Sequence, residues 1–313
     1  MVLVTGANGF IGSALCVALQ AAGIGVRRAL REALPGVPDV FPIGEIGPGT
    51  DWSAALAGIP CVVHLAARTH VLQETAADPL AEYRRVNVEG TRRLAQQAAR
   101  AGVRRLVFVS SIKVNGDAAS RPITEDDPPH PEDAYGISKW EAEQALHRVS
   151  AETGLEVVIL RPPLVYGPGV KGNFRRLLDV VARGWPLPLA SIRNRRSLIY
   201  VGNLADAIVA AIATPQAAGK TWLASDGEDV STPDLVREIG RALGKDAWLF
   251  PCPVGLLKAA AALAGKGPEA ARLAASLQLD CSRIRRELLW RTPYSLSEGL
   301  QETARWYHTA EPG

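Results

Sequence analysis

The chain has 313 residues, a formal net charge of +3, 47% hydrophobic residues and 21% charged residues. That length suits one large α/β domain or one and a half to two smaller ones. The charge is too small, and the arginines too evenly spread, to point to nucleic acid or a membrane as partner, and no basic tract with interleaved aromatics occurs.

Four cysteines, Cys16, Cys61, Cys252 and Cys281, form no C-x-x-C pair and have no histidine at ligand spacing. This argues against structural zinc and a disulfide framework; no metal and a reducing compartment are expected. Met1 runs straight into the first strand without a signal peptide, so a cytoplasmic location is expected. The longest apolar stretch, Val254 to Ala264, contains Lys258 and is too short to span a bilayer. It reads as a buried or lid helix, with a membrane-surface helix as the alternative.

In chain order, Val2 to Thr5 is a short apolar strand and Ser13 to Ala22 a helix. Gly25 to Leu30 reads as a second strand. A Pro- and Gly-rich surface stretch, 35–49, follows, with a short strand at Val40 to Ile43. Trp52 to Leu56 is a short helix and Cys61 to Leu65 a buried strand. Leu80 to Ala101 is a long helix stopped by Gly102, Leu106 to Ser110 a strand, Tyr135 to Thr153 a helix ended by Gly154, and Val157 to Leu160 a strand. Continuous rather than alternating apolar runs mean strands buried on both faces. Separated by helices, they imply a parallel sheet with right-handed crossovers. The fold class expected is α/β: a doubly wound parallel sheet (Rossmann fold) over residues 1–165. A smaller α+β substrate-binding C-terminal domain over 166–313 sends some elements back to the first. In that half Phe174 to Arg183, Leu204 to Ala213 and Thr232 to Leu243 read as helices. Leu198 to Val201 and Thr221 to Ala224 read as strands.

Between the first strand and helix lies Gly6-Ala7-Asn8-Gly9-Phe10-Ile11-Gly12. Strand, glycine turn and helix together bind a dinucleotide pyrophosphate at the helix N-terminus. Gly6 turns the chain, Gly9 admits the phosphate, and Gly12 lets helix and strand pack closely. Tyr135 and Lys139 stand four apart at a helix start, on one face. A lysine ammonium beside a phenol favours the phenolate and lowers its pKa toward the working range. Such a tyrosine passes a proton to or from a sugar hydroxyl while hydride moves at the carbon. Ser111 ends a strand, where a doubly wound fold places its active site, and its hydroxyl suits the substrate oxygen.

With these residues the sequence resembles the extended short-chain dehydrogenase/reductase family, in its nucleotide-sugar epimerase, dehydratase and reductase branch. Matching stretches include Thr5 to Gly12, His64 to Ala67, Val86 to Thr91, Ser110-Ser111, Tyr135 to Lys139, Arg161 to Pro168, Arg196 to Leu204 and Leu288 to Leu300. The resemblance implies a Ser111, Tyr135 and Lys139 triad, with Tyr135 and Lys139 also touching the cofactor. It implies further cofactor contacts at Gly6, Asn8, Gly9, Phe10, Ile11, Gly12, Leu65, Ala66, Ala67 and Pro162. Glu45 matches the acidic position near the adenine amino group, with Ile46 beside it. Asn173 and Arg196 are implied contacts to the nucleotide sugar, Arg196 on its pyrophosphate. A homodimer built on the helices at Leu80 to Ala101 and Tyr135 to Thr153 is also implied.

Departures from the family pattern narrow the chemistry. The 4,6-dehydratases carry an Asp-Glu pair just after the active-site Ser/Thr; here Ile112 and Lys113 stand there, so dehydration is not expected. Lys113 either reaches substrate or cofactor phosphate or is simply solvated. Asn115 replaces the family's usual tyrosine. At the end of the second strand, NAD binders usually carry Asp or Glu for the ribose. This chain has Arg28 and Arg31, which favours NADP, while Glu32 keeps NAD open. The first reading is therefore a 4-reductase of UDP-4-keto-6-deoxy-N-acetylhexosamines in surface-polysaccharide synthesis. The alternative is a UDP-hexose 4-epimerase, on UDP-glucose or UDP-N-acetylglucosamine, that retains NAD.

Overall fold

The computed structural model describes residues 1–34, 36–37, 39–69 and 78–310. Pro35 and Pro38, in the Pro- and Gly-rich stretch, lie outside the described residues. Strand β1 (Val2–Thr5) turns at Gly6 into helix α1 (Phe10–Ala21). Then come β2 (Val26–Leu30), β3 (Val40–Pro42), α2 (Ser53–Leu56) and β4 (Cys61–His64). Asp78 caps α3 (Pro79–Tyr83) by accepting from the Ala81 N–H at 3.0 Å. The long helix expected from Leu80 is interrupted here by a π turn over Arg84–Glu89 before α4 (Gly90–Arg100). Inside that wider turn, Asn87 bonds the backbone N–H and C=O of Arg68 and the Ser138 hydroxyl. The extra residue per turn thus serves a polar side chain that fixes a loop, a common use of π bulges.

Next are β5 (Arg105–Val109) and α5 (Ala134–Thr153), then β6 (Glu156–Arg161) and β7 (Leu164–Tyr166). Asp133 caps α5 through the Gly136 N–H at 2.7 Å, and Gly154 ends it at φ +77°. Beyond lie α6 (Gly172–Ala182), β8 (Leu198–Tyr200), α7 (Val201–Ala213), β9 (Thr221–Leu223) and α8 (Thr232–Ala242). Helices α9 (Val254–Leu263), α10 (Gly267–Ala274), α11 (Ser282–Glu287) and α12 (Leu296–Ala310) complete the chain. None of the α9 residues is buried, which overturns the buried-helix expectation for that stretch.

Seven parallel strands form one sheet in the order β3-β2-β1-β4-β5-β6-β9, and β7 and β8 pair in a second. Alternate side chains of each central strand feed two cores. Val2, Val4, Val63, Val107, Val158 and Leu160 face α1 and α7, while Leu3, Val62, Leu106, Phe108, Val157 and Ile159 face α4 and α5. This double burial is what the continuous apolar runs encode. A third core joins β7, β8, α6, α8 and α12. The fully buried Arg105 of β5 donates to the carbonyls of Ala211, Ile212, Thr214 and Pro215, so a strand arginine caps the carboxyl end of α7.

Candidate active site

The glycine turn is closed tightly. Gly6 has φ +66°, and its carbonyl accepts from the Gly9 N–H at 2.9 Å. A Cβ on Gly12 would stand 2.1 Å from that same carbonyl oxygen, so helix and turn approach in a way no side chain permits. No side chain caps α1, which leaves its first N–H groups for an anionic ligand. Beside it, the Thr5 hydroxyl oxygen accepts from the Leu65 and Ala66 N–H groups, both at 3.1 Å. The Thr5 hydroxyl proton therefore goes to His64 Nδ1 at 2.7 Å, and His64 Nε2–H donates to Thr91 Oγ1 at 2.9 Å. Burial holds His64 far below the ordinary range, at about 3, so it stays a neutral latch between turn, strand and helix.

Ser111, Tyr135 and Lys139 line one cavity of about 130 Å³, together with Ile11, Leu65, Ala67 and Pro162. Residues expected at the cofactor and at the chemistry thus meet around a single space at the carboxyl ends of β1, β4, β5 and β6. The Tyr135 hydroxyl hydrogen-bonds the Ser111 side chain. Burial, with Asp133 adding to it, pushes the phenol above its ordinary value, and the Ser111 bond opposes that only weakly. Burial thus outweighs the lowering expected of the Lys139 ammonium. Lys139 Nζ instead donates to the Val109 carbonyl at 2.7 Å and lies 3.9 Å from the Phe108 ring centre. Its burial brings the ammonium itself down to about 7, while Glu143 pushes it back up.

Glu143 sits at the centre of a buried polar network. One carboxylate oxygen accepts from Ser110 Oγ and from Arg161 Nε at 3.0 Å, the other from Arg161 Nη2 at 2.5 Å. Arg161 Nη1 reaches Asn115 Oδ1 at 3.1 Å. The network pins the strand end that carries Ser111 and the strand end that leads to Pro162 onto the helix that carries Tyr135 and Lys139.

Of the expected substrate residues, Lys113 and Arg196 are joined by a polar chain. Lys113 Nζ is held by Asp117 at 2.9 Å and by Asp133, the cap of α5. Asp117 also meets Arg272 Nε at 3.1 Å, and the Arg272 carbonyl accepts from Arg196 Nη1 at 2.6 Å. Asn173 is exposed in the first turn of α6. Among the described residues, none of Lys113, Asn173 and Arg196 lines the 130 Å³ cavity.

Where the adenosine end is expected, Arg28 hydrogen-bonds the Cys16 thiol, so part of its reach is spent on α1. Arg31 and Glu32 are exposed beyond β2. Glu45 is exposed, 3.9 Å from Arg85, and the Ile46 methyl lies where a Cβ on Gly90 would be, 2.5 Å away. The uncapped α1 start and the side-chain-free cradle at Gly12 fit a dinucleotide. Among the described residues, no group of three or more His, Cys, Asp or Glu could hold a metal ion.

The sequence profile described as the NAD dependent epimerase/dehydratase family matches residues 2–224. The chain belongs to that family. Among curated proteins, it is 43% identical over 309 residues to a UDP-glucose 4-epimerase of Vibrio cholerae, covering 97% of this chain and 94% of that protein. It is 28% identical to an N-acetyl-alpha-D-glucosaminyl-diphospho-ditrans,octacis-undecaprenol 4-epimerase of Escherichia coli O157:H7, covering 97% and 94%. Among solved structures, MoeE5 in complex with UDP-glucuronic acid and NAD superposes with a TM-score of 0.81 at 28% identity, covering 99% of each chain. The protein is therefore an enzyme of the NAD dependent epimerase/dehydratase family, and a solved structural neighbour binds NAD.

Two features of this family member escaped the sequence reading. Glu143 had a detectable signal: it lies on the same helical stripe as Lys139 and Leu146, all three buried. The Thr5–His64–Thr91 latch had none, because its three residues are brought together only by the pairing of β1 with β4 and the packing of α4.

Proposed function

We propose that the protein is a UDP-hexose 4-epimerase that keeps NAD bound and acts on UDP-glucose or UDP-N-acetylglucosamine. The observation that carries this is the Ser111, Tyr135 and Lys139 arrangement around one cavity, in a chain 43% identical over almost its full length to a UDP-glucose 4-epimerase. The order of the two sequence readings is thus reversed. Dehydration is disfavoured, since Ile112 and Lys113 offer no carboxylate and Lys113 is occupied by Asp117 and Asp133. The bond from Arg28 to Cys16 weakens the argument for NADP.

NAD held at the glycine turn of Gly6, Gly9 and Gly12 would supply reversible hydride transfer at the sugar carbon. The chain supplies the rest. Tyr135 takes the proton of the sugar hydroxyl as the carbon is oxidised and gives it back on reduction. Ser111 hydrogen-bonds the Tyr135 hydroxyl and would hold the sugar oxygen beside it. Lys139 brings positive charge to the wall of the cavity, favouring the phenolate when it is protonated. Hydrophobic walls from Ile11, Leu65 and Pro162 exclude water from the keto intermediate.

The test is to incubate the purified protein with UDP-glucose, and separately with UDP-N-acetylglucosamine, with no added cofactor. The expected result is the galacto epimer, with NAD released on denaturing the protein. Turnover only of a UDP-4-keto-6-deoxy-N-acetylhexosamine, and only with added NADPH, would establish the 4-reductase instead. The acid-free end of β2 keeps that second reading in view.

A further inference from the structure

Helix α9 is a burial anomaly. Of its ten residues only Lys258 is charged, and a helix apolar on all sides is ordinarily packed inside. Here only an inner edge, Val254 and Leu257, touches the C-terminal core. Leu256 and Leu263, seven residues apart and therefore on one face, are 62% and 93% exposed. Two exposed tryptophans extend the patch along the chain. Trp248 and Trp185 are 63% and 55% exposed, on segments joined by bonds from the Leu187 N–H to the Trp248 carbonyl and from the Phe250 N–H to the Leu187 carbonyl.

The charge along these segments is mainly positive, and α10, packed on α9, adds Glu269 and Arg272 in balance. Over 183–187 and 245–266 the cations Arg183, Lys245, Lys258 and Lys266 face a single acid, Asp246. The small net charge of the whole chain conceals this local excess. Exposed leucines flanked by tryptophan and lysine match the requirements of a surface lying in the headgroup region. There apolar side chains enter the acyl boundary, indole rings sit at its edge, and lysines reach lipid phosphates. A second copy of the chain is a poorer occupant, because two such faces would oppose lysine to lysine. No described helix is long and apolar enough to cross a membrane.

We propose that the α9 face, with Trp185 and Trp248, docks the enzyme on an anionic lipid bilayer. This does not depend on which sugar nucleotide the active site turns over.

The test is sedimentation of the full-length protein with sucrose-loaded vesicles of phosphatidylcholine alone or with about 30 mol% phosphatidylglycerol. Three proteins are compared: wild type, Leu256→Glu/Leu263→Glu, and Lys258→Glu/Lys266→Glu. All four positions are exposed and outside the catalytic cavity, so turnover of the soluble UDP-sugar serves as the control for folding. Wild type is expected to pellet with the anionic vesicles, and each double variant to bind at least about tenfold more weakly with turnover unchanged. Failure of wild type to pellet at low salt, or equal pelleting of the leucine variant, overturns the proposal. So does a concentration-dependent dimer that the leucine variant abolishes without any vesicle binding. A raised KM for the soluble substrate in the leucine variant, with no vesicle binding by wild type, assigns the helix as a lid instead.

Discussion

Glu143 stands one helical turn beyond Lys139 on the inner face of α5, and both side chains are closed off from water, at 0% and 2% exposure. The carboxylate raises the Lys139 ammonium against the burial that brings it to about 7. Replacing Glu143 by Gln therefore lowers the pH at which Lys139 loses its proton. If the cation is what favours the Tyr135 phenolate, the alkaline limb of kcat moves to lower pH in the variant. Arg161 also loses its partner, and breaking a buried pair from one side costs about 3–5 kcal/mol, visible as a lower Tm. A pH profile unchanged beside a lowered Tm would leave Glu143 with an anchoring role only.

Tyr135→Phe removes the proton carrier while keeping the ring. The expected loss in kcat is roughly 10²–10⁴-fold, the usual worth of a positioned general acid–base. The amount of NAD co-purifying with the protein should match wild type, since the phenol belongs to the chemistry more than to retention. Rapid-quench turnover and cofactor extraction on the same preparation separate the two.

Gly12→Ala brings a methyl group to within 2.1 Å of the Gly6 carbonyl and 2.7 Å of the Ala7 Cα, both backbone atoms. The turn must open to admit it. Overpacking of this kind costs about 1–3 kcal/mol, and here it also shifts the groups that would meet the pyrophosphate. The variant is expected to purify with little NAD and to melt earlier, read by absorbance of the extracted cofactor and by calorimetry.

His64 gives the protein an acid-side weakness. Its folded-state pKa, about 3, lies below the ordinary value of 6.5, so the unfolded chain binds the extra proton between those limits. Stability therefore rises with pH across that window and is lost as pH falls through it, by on the order of a few kcal/mol. Denaturant titrations at pH 7 and pH 4 should show a smaller pH difference for His64→Gln than for wild type.

Much of the sheet was legible because its strands are buried on both faces and therefore read as largely apolar runs: Val2 to Thr5, Cys61 to Leu65, Leu106 to Ser110 and Val157 to Leu160, each within one residue of the strand observed. The β7–β8 ladder was half seen, since three residues such as Leu164–Tyr166 carry no period. The π turn at Arg84–Glu89 was not seen, because a single extra residue leaves a helical pattern intact over its flanks. Ser111, Tyr135 and Lys139 were readable from spacing and resemblance, and they do line one cavity. The expected electrostatics between Tyr135 and Lys139 were not, because they depend on the Val109 carbonyl and the Phe108 ring capturing the ammonium.

Arg105 has a consequence for how such enzymes can diversify. Its guanidinium, rooted in the sheet, is satisfied by four carbonyls that arrive more than a hundred residues later. A chain cut at residue 165 would leave that guanidinium with the Glu156 carboxylate alone, its four carbonyl acceptors gone. The half beyond residue 165 is thus not a module that recombination can exchange at a linker. A donor segment must bring its own end of α7 to the same arginine, and so new specificities are reached more readily by changing loops in place than by trading halves.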